Sequence, residues 1–254
     1  MPHISYSELK DWVFCAFYHK LTRIEKLKGF KGNEYTAFGT AVHNVCEKKL
    51  LKENIDFGVH FTDSFADCIS KLPPDVAINN GLVEDMVGQG LGLLPEIEGA
   101  LDDYFGEYEV LAVEMQLYEP IKTEEEYVFK GYIDAVVATP DKKVHIFDWK
   151  TCSWGWDAKR RSDKMTTYQL TLYKHFFAQK MGVDPKDIET QFALLKRTAK
   201  KNKVEFFRVT SGPRKTDNAL KRLNTALHNI KKERYIKNRL SCRNCNFRHT
   251  EECP

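Results

Sequence analysis

The residues with the clearest chemical content lie on either side of one turn, where Val128–Ala138 and Val144–Trp149 flank Thr139-Pro-Asp-Lys-Lys143. A loop centred on Asp141 sets Asp134 directly opposite Asp148 on the facing strand. Strand side chains alternate, so Lys150 and Ile146 share the face of Asp148 while Phe147 points to the other side. Aspartate is depleted in strands and an unpaired buried charge is costly, so two acids in otherwise apolar strands need compensation. A divalent cation supplies it most simply. An Asp–Lys salt bridge at a sheet edge is the alternative that these residues alone leave open, because D-x13-D-x-K is a short and degenerate pattern.

The elements that must position this hairpin can be read from periodicity. Ser5-x-x-Glu8 is a capping box ahead of Leu9, Trp12, Val13, Phe17 and Leu21, one helical stripe expected to end before Gly29. Helical period returns from Thr36 to Leu51, and less clearly through 61–72 and 80–106, where several glycines weaken it. The period then becomes two, or short apolar runs, over 108–119, 128–138, 143–151, 188–195 and 203–210, which predicts strands. Helical patterns over 164–181 and 213–236 complete an α/β chain. With no internal repeat, low-complexity tract or linker, one domain is expected over 1–254: a mainly helical N-terminal region over 1–106, a core over 107–210, and a helix and cysteine tail over 211–254.

Composition narrows the class. A chain of 254 residues with 42% hydrophobic and 30% charged residues can bury a sizeable core, which excludes fibre, peptide and disordered linker. No uncharged apolar run approaches the roughly 18 residues of a membrane span. The opening MPHISYSELKDW lacks the basic start and apolar centre of a signal peptide, so the expected location is the cytoplasm. The net charge of +3 hides an asymmetry: Lys196 to Arg239 carries 15 Lys+Arg against 3 Asp+Glu. A basic segment on an otherwise acidic chain suggests a polyanionic partner, although a solvated helix face is compatible with the same charge. Seven cysteines, an odd number, point to metal or thiol chemistry before a disulfide framework.

Together with its neighbours, the hairpin resembles a known family. GYIDAVVATPDKKVHIFDWKT, residues 131–151, resembles the core of the PD-(D/E)XK nuclease superfamily, with Asp148-Trp149-Lys150 standing where that family carries (D/E)-x-K. Upstream, Gly39-Thr-Ala-Val-His43 resembles the G-x-x-x-H motif of its RecB-type branch, and downstream Gln169-Leu-Thr-Leu-Tyr173 resembles that branch's Q-x-x-x-Y. The matches keep the family order and span nearly the whole chain. The resemblance implies an α/β restriction-endonuclease-like core, a central mixed sheet flanked by helices, and a metal-dependent deoxyribonuclease that hydrolyses phosphodiester bonds. It further suggests an exonuclease on single-stranded DNA or DNA ends, in recombination, repair or replication.

Residue by residue, the resemblance makes His43 a metal ligand beside Asp134 and Asp148, with the backbone carbonyl of Trp149 as a further oxygen donor. Mixed imidazole and carboxylate ligation suits Mn²⁺ and tolerates Mg²⁺. Lys150 orients the attacking water or stabilises developing charge, and Glu114 adds a carboxylate from the preceding strand or is an inert surface residue. Gly39 and His43 share a helix face, as do Gln169 and Tyr173. Glu47, one turn beyond His43, is either its hydrogen-bonding orienter or a solvated acid. Gln169 and Tyr173 are expected to contact DNA, although Tyr173 also reads as a core aromatic. Lys196 and Arg197 are expected on the DNA backbone, and the loop Ser153-Trp-Gly-Trp156 with Lys159-Arg-Arg161 sets aromatics beside cations for stacking on bases.

Cys242-x2-Cys245-x7-Cys253 leaves a tetrahedral or cubane site one ligand short, which Cys15 at the other end of the chain can supply. This one-plus-three pattern resembles the iron–sulfur RecB-type nucleases, CRISPR-associated ones included, and implies a [4Fe–4S] cluster joining the N- and C-terminal segments. The final gap of seven residues exceeds the five expected there, which keeps Zn²⁺ as the alternative and lets His249 enter a zinc site. Cys46, Cys68 and Cys152 lack such spacing. Two other classes fit some of the pattern: a catalytically idle nucleic-acid-binding module, which has no use for Asp134, Asp148, Lys150 and His43 together, and a zinc-stapled interaction protein.

Overall fold

A computed structural model describes residues 1–254, apart from the side chain of Glu125. In chain order the elements are β1 (His3–Ser5), α1 (Tyr6–Phe14), α2 (Ala16–His19), α3 (Glu34–Leu50), α4 (Phe57–Ser70), α5 (Asn80–Leu93), α6 (Glu96–Phe105), β2 (Glu109–Ile121), β3 (Glu124–Ala138), β4 (Val144–Cys152), α7 (Ala158–Ser162), α8 (Lys164–Met181), β5 (Ile188–Lys196), β6 (Val204–Arg208) and α9 (Pro213–Lys231). The strands form one mixed sheet in the order β1-β3-β4-β5-β6, with β2 also paired to β3. β1 on β3 and β4 on β5 are parallel, and the other pairings are antiparallel.

Alternation along the strands divides the core in two. Ile146 and Phe192 pack on one face with Leu170 and Phe176 of α8 and Leu223 of α9. Phe147 and Trp149 turn to the other face, where they meet Phe38 of α3, Phe61 and Phe65 of α4, and Leu101 of α6. The sheet is therefore flanked by helices on both sides, as the periodicities require. Helix ends follow local chemistry. Asn33 and Thr36 make a reciprocal capping box at the start of α3. Asp163 caps Thr166 N at the start of α8, and Gly182, left-handed at φ 66°, stops that helix.

Three expectations from periodicity, and one from the cysteine spacing, need correction. The first helical stripe is interrupted at Cys15, whose extended backbone (φ −164°, ψ 121°) ends α1 and begins α2, with a π turn over Lys20–Ile24 following. The 80–106 stretch is two helices, α5 and α6, and α9 ends at Lys231, short of 236. β1 and α7 were not legible, because three and five residues are too few to show a period. The fourth concerns the chain ends, which do meet, but through hydrogen bonds. The break at Cys15 leaves the Phe14 carbonyl free to accept from Asn238 Nδ2 at 2.9 Å and from Ser241 Oγ. Asn238 N donates to Cys15 Sγ at 3.2 Å. The expected cysteine-ligated junction is not seen: among the described residues, no three His, Cys, Asp or Glu side chains close at ligating distance on one point. No helix among them is long and apolar enough to cross a membrane.

One close approach in the helical layer gives a stability prediction. Gly90 of α5 is buried against the ring of Phe61, and a Cβ built there collides with three ring atoms. Phe61 is held edge-on by Phe38 and stacked on Phe65, so it has nowhere to go. Gly90→Ala is expected to cost about 1–3 kcal/mol through overpacking, despite the better helix propensity of alanine. Chemical denaturation checks it: an unchanged midpoint means that Phe61 can shift after all.

Candidate active site

β3 is shared between two partners along one edge. β1 pairs with residues 128–130 of β3, and β4 pairs with residues 135–138, so residues 131–134 lie in the fork between them. The β3–β4 ladder runs from Ala138↔Val144 to Ala135↔Phe147. The next step of that register is Asp134 against Asp148, as the loop centred on Asp141 requires. There the strands part, and Asp134 Oδ2 instead accepts a hydrogen bond from Trp149 N at 2.8 Å. The third edge contribution is Glu114 of β2, which stands opposite Asp134 in the β2–β3 register with a left-handed φ of 48°. That conformation is unusual for a non-glycine strand residue and marks a local constraint.

Two helices close the fork. From the α3 side, Gly39 brings the helix backbone onto β4, where an added Cβ would lie 3.2 Å from Thr151 Oγ1. One turn on, His43 Nδ1 sits 3.6 Å from Asp134 Oδ2. From the α8 side, Gln169 Nε2 donates to Asp148 Oδ1 at 2.6 Å, and the same nitrogen lies 3.5 Å from Tyr173 Oη. Gly131 makes room for the Tyr173 ring, whose Cε1 would be 2.9 Å from an added Cβ. Lys150 Nζ forms an ion pair with Asp148 Oδ2. That oxygen is buried and accepts no hydrogen bond of normal geometry, so the ammonium is its one compensation among the described residues.

The electrostatics of the cluster are out of balance. Burial pushes the Asp148 carboxyl up, and the charge of Asp134 pushes it further, with Lys150 opposing both. Asp134 is raised for the same first reason, burial, while Lys150 and the Trp149 N–H pull it down and Glu114 adds repulsion. Burial disfavours the Lys150 charge, but Asp148 and Asp134 more than offset it and hold the ammonium above its usual range. The Glu114 carboxyl is raised by its surroundings and by Glu47 and Asp148. His43 is driven down to about 4, mainly by burial and then by Lys150, so its imidazole is neutral near pH 7 with a lone pair to offer. One ammonium faces two buried carboxylates with Glu114 beside them. Two buried carboxylates and a neutral imidazole make a mixed O/N donor set whose chemistry suits a divalent cation, which would add the positive charge the cluster lacks, although here too no three of the described side chains are drawn in to ligating distance on one point.

The structure thus brings His43, Glu114, Asp134, Asp148, Trp149, Lys150, Gln169 and Tyr173 to one place. Two residues expected on DNA lie elsewhere in side-chain networks. Lys196, 11% exposed, pairs with Glu205 at 3.2 Å. Arg197 bonds Gln89 and Ser153 Oγ and lies 5.1 Å over the Tyr35 ring. In the loop after β4, Trp154 is exposed at 75%, whereas Trp156 is buried against Phe192 with Arg160 over its ring. A groove of about 700 Å³ leads away from Lys150 and Gln169; of its lining, Arg160 was named in the sequence among the expected DNA contacts, whereas Tyr6, Lys10, Lys130 and Tyr132 were missed. Its residues belong to β1, α1, β3 and α7, and no local pattern links them.

The four cysteines of the one-plus-three pattern are free, half-buried and mutually near. Burial pushes the Cys245 thiol up first, and Cys253, Cys15 and Cys242 then add to it. Number and donor type suit a thiolate-ligated centre, although the sulfurs are not drawn in to ligating distance.

Comparison with known proteins agrees with this architecture. The sequence profile described as the PD-(D/E)XK nuclease superfamily matches residues 3–250. No curated protein matches the sequence significantly. Among solved structures, a crystal structure described as that of a candidate exonuclease from Eubacterium rectale superposes with a TM-score of 0.55 at 14% identity, covering 91% of this chain and 79% of its own. At that identity the likeness speaks for the fold. A second structure, of SSO0001, covers 99% of this chain and 85% of its own at 14% identity with a TM-score of 0.45, and carries no argument.

Proposed function

Because the chain belongs to the PD-(D/E)XK nuclease superfamily, we propose that it is a metal-dependent deoxyribonuclease of the RecB-type branch, acting on single-stranded DNA or DNA ends. The observation that carries this reading is the fork itself: Lys150 paired to Asp148, with Asp134 and His43 against it, at the mouth of a groove lined by cations and tyrosines. A divalent cation held by Asp134, Asp148, His43 and the Trp149 carbonyl, Mn²⁺ or Mg²⁺, would supply Lewis acidity at the scissile phosphate. The protein's own groups do the rest. Lys150 donates hydrogen bonds toward the attacking water and the charge that develops on phosphorus-bound oxygen. Gln169 holds Asp148 in orientation through its 2.6 Å bond, and Tyr173 backs Gln169. Glu114 contributes negative charge at the rim.

A tendency toward ends and exonucleolytic cleavage is supported by the groove, where the exposed Tyr132 lies among Lys10, Lys130 and Arg160, and by the description of the Eubacterium rectale neighbour. The cysteine tail extends the proposal: Cys15, Cys242, Cys245 and Cys253 hold a [4Fe–4S] cluster, or Zn²⁺, as a structural fastener. Digestion of end-labelled single- and double-stranded DNA tests the reading. Cleavage with Mn²⁺ or Mg²⁺ that stops in EDTA, with mononucleotides or short products from single strands, is expected. Undiminished cleavage in excess EDTA, or none with either metal, would overturn it.

A further inference from the structure

A second concavity, on the far side of the α7–α8 junction from the catalytic groove, has an unbalanced charge of the opposite sign. It encloses about 860 Å³ and is lined by Arg161, Lys164, Arg208, Arg214 and Lys215, with no carboxylate among its lining residues. Arg161 and Arg208 are paired outward, to Glu205 and Glu189. Among the described residues, Lys164, Arg214 and Lys215 have no acidic partner. Lys215 Nζ is bonded to the Thr210 carbonyl, and burial alone depresses its pKa. The first turn of α9 opens into the same space, where Gly212 provides no side-chain cap. The helix adds the partial positive charge of its N-terminus to the five cations.

The cleft and the catalytic groove share a wall. Arg160 and Thr166 line the groove, whereas their neighbours Arg161, Lys164 and Thr167 line the cleft. We propose that the cleft binds the sugar-phosphate backbone of the substrate strand at phosphates remote from the scissile one, the strand crossing the α7–α8 junction. This rests on the nuclease reading above. The five cations and the lack of any carboxylate in the lining favour a flexible polyanion, whose sugars can lie on the apolar part of the wall at Tyr168, Phe207 and Val209. It makes long strands better substrates than short ones without touching the chemistry.

The test compares initial cleavage rates with Mn²⁺ on single strands of about 30 and about 6 nucleotides, lengths on either side of a typical single-strand footprint. Lys164 and Arg214 are exposed, so the K164A/R214A variant keeps its fold. It is expected to raise KM for the long strand at least about tenfold with kcat unchanged, to leave the short strand unaffected, and to flatten the log–log salt dependence by roughly 1.4 for two lost phosphate contacts. As a second measurement on the wild type, the long strand but not the short one is expected to shield Lys164 and Lys215 from an amine-acylating reagent. Equal KM for variant and wild type, an equal loss on both lengths, or no length-dependent shielding overturns the cleft while leaving the nuclease standing. Failure of the wild type to cut either strand overturns the nuclease reading, and the cleft with it.

Discussion

Alanine at Asp148 is expected to lower DNA cleavage by about three orders of magnitude or more while leaving the protein as stable as before. The carboxylate is where three functions meet: it anchors Lys150, accepts from Gln169, and supplies a donor for the proposed cation. Loss of one charge-stabilising group in a preorganised site costs about 10²–10³ in turnover, and here several are uncoupled at once. Stability behaves differently, because burial and Asp134 both oppose the Asp148 charge. Its removal relieves that repulsion and leaves Lys150 in the field of Asp134, which already helps to hold the ammonium charged.

Lys150→Ala is the informative contrast. It is expected to abolish cleavage equally, but it leaves two buried carboxylates without their ammonium. Both acids titrate above their usual range in the folded state. Their sign is therefore that of groups whose contribution to stability is present at low pH, below the unfolded carboxylate range, and lost as pH rises through the raised folded values. Lys150→Ala should melt progressively earlier than wild type from acid toward neutral pH, with Mn²⁺ restoring some of the loss. Full cleavage by either variant, or a melting temperature of Lys150→Ala that ignores pH, would remove the acid cluster from the reaction.

The second large effect is expected at the chain ends. From Lys232 onward only Phe247 is buried, packed against Tyr18 and closely over Gly29, so the tail has almost no apolar core of its own. The hydrogen bonds from Asn238 and Ser241 to the Phe14 carbonyl contribute about 1 kcal/mol each. That is too little to order more than twenty residues, each of which costs about 1–2 kcal/mol of backbone entropy. Ligation by four thiolates supplies the missing term, since a structural metal contributes on the order of 10 kcal/mol to folding. Changing any one of Cys15, Cys242, Cys245 or Cys253 to serine is expected to lose the bound iron and sulfide, or zinc, and to expose the tail and the first helix to early proteolysis. The same change at the fully buried Cys46 leaves metal content alone. Anaerobically purified protein that contains neither iron nor zinc would rule out the fastener.

By itself the sequence determined those features of this protein that are local. The 164–181 period became α8 at those bounds, because its cap at Asp163 and its stop at Gly182 sit in the chain itself. The register of the hairpin followed from a five-residue loop, so the approach of Asp134 to the Asp148-Trp149-Lys150 run was legible before any packing was known. The tertiary structure decided what depends on contacts distant in sequence. β1 pairs with β3 across about 125 residues and creates the fork at 131–134, yet three residues carry no period. Glu114 takes a left-handed φ opposite Asp134, which nothing in its sequence neighbourhood announces. Lys196 and Arg197 looked like free cations until folding brought Glu205, Gln89 and Ser153 to them, whereas Lys164, Arg214 and Lys215, separated by about 50 residues of chain, were gathered into one cleft by the packing of α9 against α8. Backbone hydrogen bonds and caps are satisfied within a few residues, so sequence specifies them; the partner of a long charged side chain is whatever the fold places within its reach.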